Sequence, residues 1–169
     1  MKALVVYDSV FGNTQKIAEA IAASLGARAE TSLLRPSEAD LSRFAGLDLL
    51  VVGSPTRGFR PTEAMADLLK SLPAKLLKGV RVAAFDTRFN ADEMDSGVAR
   101  FVVRTGGFAA KRIADRLKRA GGLAAAPPEG FFVKDTEGPL KPGELERAAS
   151  WAGSLLPIPD PSKPEEGAS

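Results

Sequence analysis

The sequence contains no cysteine and no histidine. Without cysteine there is no disulfide, no thiolate nucleophile and no cysteine-ligated zinc. Without histidine there is no Ser-His-Asp triad and no imidazole acid–base catalyst. Metal sites of the Cys/His kind are excluded, and an enzyme built from this chain would depend on carboxylates or a cofactor. Neither sign of charge dominates, because 23 Lys and Arg against 21 Asp and Glu leave a formal net charge of +2. Nucleic-acid binding requires a concentrated basic stripe interleaved with aromatics. The nearest run, Lys111, Arg112, Arg116, Lys118 and Arg119, reads as the solvated face of one helix. No nucleic-acid partner is expected.

Long apolar runs are also missing, and nothing approaches the ~20 residues needed to span a bilayer. Lys2 ahead of apolar residues and Ala27-Arg28-Ala29 imitate a secretory signal. Asp8, Asn13, Gln15, Lys16 and Glu19 interrupt the apolar core that such a signal needs. The expectation is a cytoplasmic protein with no membrane span. A chain of 169 residues, 44% hydrophobic and 26% charged, has the size and composition of one globular domain.

What is present is a regular alternation of strand and helix signals. Residues 3–7 predict a first strand, and 13–25 a first helix with Ile17, Ile21 and Leu25 on one face. Residues 30–34 read as a weak second strand, and Ser37 as the N-cap of a short helix ending near Gly46. Residues 47–53 form the strongest strand, almost wholly apolar as burial on both faces demands. Met65, Leu68, Leu69 and Leu72 mark a further helix closed by Pro73, and 80–85 a fourth strand. Helical character then runs over about 98–120, with Gly106-Gly107 as a candidate break. A poor strand at 123–126 resumes at 131–133 beyond Pro127-Pro128. The last helix carries Leu145, Ala148, Ala152 and Leu155, with Trp151 beside them as a core anchor. There is no internal repeat. The folded domain is expected over 1–156, followed by a flexible Pro-rich tail over 157–169.

Strands alternating with helices predict an α/β fold, a parallel sheet with helices on both faces. Such sheets bind ligands beyond the carboxyl ends of their strands, where the strand order reverses. Three loops qualify, at 9–14, 54–60 and 86–90. The first, Ser9-Val10-Phe11-Gly12-Asn13-Thr14, sets hydroxyls and backbone N–H groups at the positive end of a helix. That is the chemistry of an anion site, most simply a phosphate site.

Several nucleotide folds fail on specifics. No G-x-G-x-x-G follows the first strand, so the Rossmann fingerprint is missing. Gly53-Ser54-Pro55-Thr56-Arg57-Gly58 has P-loop glycine spacing, but Phe59-Arg60 stands where Lys-Ser/Thr is required. A phospho-receiver domain shares the layout and would use Asp8, Thr87 and Lys134. It also needs an acceptor aspartate after the third strand, where Gly53-Ser54 stands.

These residues resemble the flavodoxin family. Ser9-Val10-Phe11-Gly12-Asn13-Thr14 is similar to that family's FMN-phosphate loop, T/S-x-T-G-x-T. Gly53-Ser54-Pro55-Thr56-Arg57-Gly58 resembles the loop after the third strand, and Phe85-Asp86-Thr87-Arg88-Phe89 the loop after the fourth. Gly138-Pro139-Leu140, ahead of a Glu-rich helix start, is also similar to many members, and the likeness extends to about residue 156.

The resemblance implies a doubly wound, five-stranded parallel sheet in the order 2-1-3-4-5 and one noncovalent FMN. It assigns the phosphate to Ser9, Asn13 and Thr14 side chains, with the N–H groups of Val10, Phe11, Gly12, Asn13 and Thr14. Ser54, Pro55, Thr56, Arg57, Gly58 and Phe59 would grip the flavin ring from one side, and Thr87, Arg88 and Phe89 from the other. Gly58 stands where members flip a peptide toward flavin N5. Phe59 and Phe89 are the stacking candidates, with a core role as the alternative. No catalytic residue is implied.

Two departures from the family pattern bear on function. Phe11 stands where electron-carrying flavodoxins usually place threonine, and the resemblance there is to the quinone-reductase-like branch, in which aromatic residues occur at this position. Carriers are also strongly acidic around the flavin, whereas this chain is slightly basic. Arg57, Arg60 and Arg88 fall in the predicted flavin loops, where a cation would favour the reduced, anionic flavin by Coulomb attraction. Alternatively they point into solvent. The implied function is an electron-transferring FMN protein served by a redox partner protein. The alternatives are an NAD(P)H-dependent FMN oxidoreductase using nicotinamide and quinone, and a module that has lost FMN and only binds. Asp92, Glu93 and Asp95, then Val98, Phe101 and Val102, form a lid or partner surface in one reading and an ordinary helix start in the other.

Overall fold

Consecutive side chains of a strand point to opposite faces of its sheet, and here both faces are apolar. In the computed structural model, which describes residues 1–158, β1 (Lys2–Tyr7), β3 (Leu49–Pro55) and β4 (Arg81–Arg88) form the buried centre. The chain order is β1, α1 (Asn13–Gly26), β2 (Glu30–Leu34), β3, α2 (Glu63–Ser71), β4, α3 (Gly97–Gly106), α4 (Ala109–Arg119), β5 (Leu123–Ala124), β6 (Glu129–Phe132) and α5 (Glu144–Leu155). All pairings are parallel, in the order β2-β1-β3-β4-β5, with β6 also on β4. The last strand of the 2-1-3-4-5 sheet is thus split in two, and residues 125–128, with Pro127 and Pro128, form the interruption. Proline has no N–H for the ladder, which explains the gap.

Val5, Val51, Ala83 and Phe85 meet Ile17, Ile21 and Leu25 of α1 and Ala148, Ala152 and Leu155 of α5 on one face. Leu4, Val6, Leu50, Val52 and Val82 meet Met65 and Leu69 of α2 and Ile113 and Leu117 of α4 on the other. Each fully buried Leu or Ile stabilises the fold by roughly 1.5–3 kcal/mol. Phe85, Phe131 and Trp151 pack edge to face with centroids 6.0 to 6.3 Å apart, so Trp151 is a core anchor.

Two sequence expectations change. The helix expected from Ser37 is instead two 3-10 turns, Pro36–Glu38 and Leu41–Phe44. Only Ala39 and Phe44 of this stretch are buried, too few for a helical stripe. The helical stretch 98–120 does break at the glycine pair, giving α3 and α4 as separate helices. No helix among the described residues is long and apolar enough to cross a membrane. The tail expected over 157–169 lies, from residue 159 on, outside the described residues.

Candidate functional site

Register brings the three predicted loops together. Tyr7 is level with Gly53, Gly53 with Phe85, and Pro55 with Thr87, so β1, β3 and β4 release their chains side by side. Asp8 then ties the exits down. Its carboxylate accepts the Thr62 hydroxyl at 2.6 Å, an Arg35 guanidinium N–H at 3.1 Å and the Ser9 N–H at 2.9 Å. Thr62 in turn caps α2 through the Met65 N–H.

In the first loop Gly12 adopts φ 92°, a left-handed conformation that glycine reaches without steric cost. The first helical bond of α1 runs from the Lys16 N–H to the Gly12 carbonyl, at 3.1 Å. The N–H groups of Asn13, Thr14 and Gln15 therefore precede any intrahelical acceptor. Among the described residues no side chain caps this helix, and no acidic residue occupies its first turn. The Gly12 N–H is satisfied internally, by the Ser9 Oγ at 3.0 Å. Asn13 donates its side-chain amide to the Glu137 carbonyl at 3.1 Å, and the Thr14 and Thr87 hydroxyls bond at 2.8 Å in a buried position.

The second loop makes a two-residue reverse turn. Arg57 and Arg60 exchange backbone hydrogen bonds of 2.8 and 3.1 Å, and both residues between them are left-handed, Gly58 at φ 52° and Phe59 at φ 66°. Such turns favour residues that tolerate positive φ. Glycine does, whereas a phenylalanine there carries about 1–2 kcal/mol of strain.

In the third loop Asp86 is fully buried, and Arg88 answers it with both Nε and Nη2, at 2.5 and 2.9 Å. Burial pushes the Asp86 carboxyl above its ordinary range, opposed by Arg88 and by the Ala110 N–H. Arg88 is therefore not a free cation beside the loop. Of the other two loop arginines, Arg57 lines the central cavity with no ion pair among the described residues, and Arg60 lines a neighbouring groove.

The loops enclose one cavity of about 400 Å³, a size ordinary for a small-molecule site. Ser9, Val10, Phe11, Asn13 and Thr14 line it from the first loop. Pro55, Thr56, Arg57, Gly58 and Phe59 line it from the second, and Thr87, Arg88 and Phe89 from the third. Of the residues singled out in the sequence, Gly12 and Ser54 are not in its lining. Ser54 is buried behind it, where its Oγ accepts the Thr62 N–H at 2.9 Å. Met94, Val103, Phe108, Val133 and Thr136 complete the wall and were not anticipated. Met94 precedes α3 and Val103 lies on it, and nothing in their apolar character sets them apart from the exposed Val98, Phe101 and Val102 of the same helix.

The sequence matches the flavodoxin family over residues 5–128. The chain belongs to the flavodoxin family. Flavodoxins are FMN-binding electron-transfer proteins, so membership makes this a flavin-binding electron-transfer protein.

Solved flavodoxins share the fold. One from the domain Archaea is 22% identical, with a TM-score of 0.68 over 92% of this chain and 96% of its own. Flavodoxin 1 from Bacillus cereus is 16% identical, with a TM-score of 0.70 over 92% and 97%. Rubredoxin oxygen:oxidoreductase from Desulfovibrio gigas is 21% identical, with a TM-score of 0.68 over 91% of this chain but 35% of that longer one. No functionally curated protein matches the sequence.

Proposed function

We propose that this flavodoxin is an electron carrier holding one noncovalent FMN in the cavity above β1, β3 and β4. One observation carries the reading: an uncapped helix start and two loops bearing aromatic residues converge on that single cavity. The residues fit the group. The N–H groups of Asn13, Thr14 and Gln15, with the Ser9 hydroxyl beside them, would hold the phosphate. Phe11, Phe59 and Phe89 supply apolar surface for the flavin ring. Bound FMN supplies the redox chemistry, and the chain supplies position and electrostatics.

The pairing of Arg88 with Asp86 favours a carrier over a reductase. It removes one of the cations that would bias the site toward two-electron chemistry. Phe11 and Phe89 remain 46% and 41% exposed, which leaves the cavity mouth open to a protein partner.

Titrating apoprotein with FMN, followed by flavin fluorescence, tests the site. Quenching with a one-to-one endpoint at micromolar concentration or below is the expected result. Adding NADPH anaerobically should then leave the flavin absorbance in place. Rapid bleaching would make the protein an NADPH-dependent oxidoreductase, and absence of FMN binding would leave only a binding module.

A further inference from the structure

A second concavity, of about 470 Å³, adjoins the flavin cavity between the 57–60 turn, α2 and α4. Arg57, Arg60, Lys70, Arg112 and Arg116 line it, and all five are exposed. Among the described residues none of them forms an ion pair, although Arg35, Arg88, Arg104 and Arg147 elsewhere all do. The groove is joined to the flavin site in two ways. Arg57 lines both cavities, and Arg112 donates its Nε–H to the Phe59 carbonyl at 2.8 Å.

A second observation concerns the cavity mouth. Val10, Phe11 and Phe89 line it while remaining 41–49% exposed. On α3, Val98 and Phe101 are also exposed, at 74% and 70%. An apolar centre with a charged flank is the composition of a protein–protein contact, in which complementary charge sets orientation and encounter rate.

We propose that this cationic groove docks the acidic face of a redox partner protein, bringing the partner's one-electron centre over the apolar mouth. The proposal rests on the carrier reading above. In the transfer the partner's reduced centre loses one electron and the flavin gains one, and no bond forms between the proteins. A dinucleotide is the less suitable occupant. The groove offers no aromatic face for an adenine. The five cations are spread over a turn and two helices, matching an extended carboxylate surface better than one phosphate group.

The test uses two protein probes of opposite charge. One is a chemically reduced plant-type [2Fe–2S] ferredoxin, which is acidic, and the other is cytochrome c, which is basic. The variant is Lys70→Glu/Arg116→Glu, with Lys70→Gln/Arg116→Gln as a milder companion. Neither residue lines the flavin cavity. Stopped-flow absorbance should show flavin reduction by ferredoxin slowing steeply as salt rises from about 20 to about 500 mM. At low salt the Glu variant should be slower by about tenfold or more, with the Gln variant between. Electron transfer to cytochrome c should not slow in either variant.

A ferredoxin rate that is flat or rises with salt, or that is unchanged in the Glu variant, overturns the proposal. So does NADPH bleaching of the wild-type flavin whose half-saturating concentration rises in that variant, since the groove would then be a nucleotide site. FMN titration of each protein keeps the two readings apart. Failure of wild type to bind FMN removes the carrier reading. Calorimetry of apoprotein with ferredoxin, at low and high salt, still decides whether the groove attracts an acidic protein.

Discussion

The Arg88 guanidinium closes on the Asp86 carboxylate two residues back along β4 and lies 3.7 Å from the centroid of the Phe108 ring. Residues two apart on a strand share a face, so the pair forms without bending the chain. Asp86 also accepts the Ala110 N–H at 2.8 Å, which ties the start of α4 to the flavin edge of the sheet.

Removing the cation should make stability depend on pH. Burial already raises the Asp86 carboxyl, and Arg88 opposes that rise. In Arg88→Gln the folded-state value should move further up. Stability from the neutral acid is then full below the ordinary aspartate range and is lost as pH rises through the raised value. Urea unfolding should show a loss of about 3 kcal/mol at pH 8 and a smaller one at pH 5. Equal losses at both pH values would show that Arg88 acts through packing on Phe108 alone.

The Thr14–Thr87 bond joins the first and third loops inside the site. Thr14→Val or Thr87→Val alone leaves the other hydroxyl buried without its partner and should cost about 1–3 kcal/mol. The double variant should cost less than the sum, because both polar groups are then gone. A double-mutant cycle in urea measures the coupling, and strict additivity would mean that the bond contributes nothing.

Gly106, at the end of α3, has room for no side chain. A Cβ there would stand 2.5 Å from the Phe59 ring. Gly106→Ala should therefore displace Phe59 and weaken FMN binding by roughly tenfold, about 1.4 kcal/mol. Fluorescence titration reads this directly. Unchanged affinity would exclude Phe59 from contact with the flavin.

Glu144, at the start of α5, accepts the Phe132 N–H at 2.7 Å and pairs with Arg147. Burial pushes its carboxyl up, but the Arg147 and Phe132 hydrogen bonds outweigh that and hold it below the ordinary glutamate range. A depressed carboxyl contributes stability above its unfolded value, lost as pH falls through the folded one. Glu144→Gln should cost about 1–2 kcal/mol at pH 7 and almost nothing once wild-type Glu144 is itself protonated. Denaturation at pH 7 and at pH 3 checks the convergence.

The central strands were legible in the sequence because burial on both faces leaves β1, β3 and β4 almost continuously apolar. The three loops followed from those strands, since each begins where an apolar run stops. The stretch after β2 misled, because Ser37 suggested a helix N-cap while Pro36 and Glu38 close only a single turn. The real cap nearby is Asp40, whose carboxylate accepts the Ser42 N–H at 2.9 Å. Phe108, Val133 and Thr136 were not legible as site residues. Phe108 enters the cavity wall only because α4 starts beside β4, and the other two because the chain after β6 returns over the same edge. The Arg88–Asp86 pair was hidden for a different reason: loop position shows that a cation is near but not that a buried anion neutralises it.

The split of the last strand also bears on how copies of this protein avoid one another. An open sheet has two edges, and each exposes backbone groups on which a second chain could build a strand. At one edge the two-residue β5 and the Pro127-Pro128 step leave no continuous row of donors. Among the described residues the β2 edge is therefore the longer uninterrupted one for strand addition by a second copy, and that strand opens with an exposed Glu30.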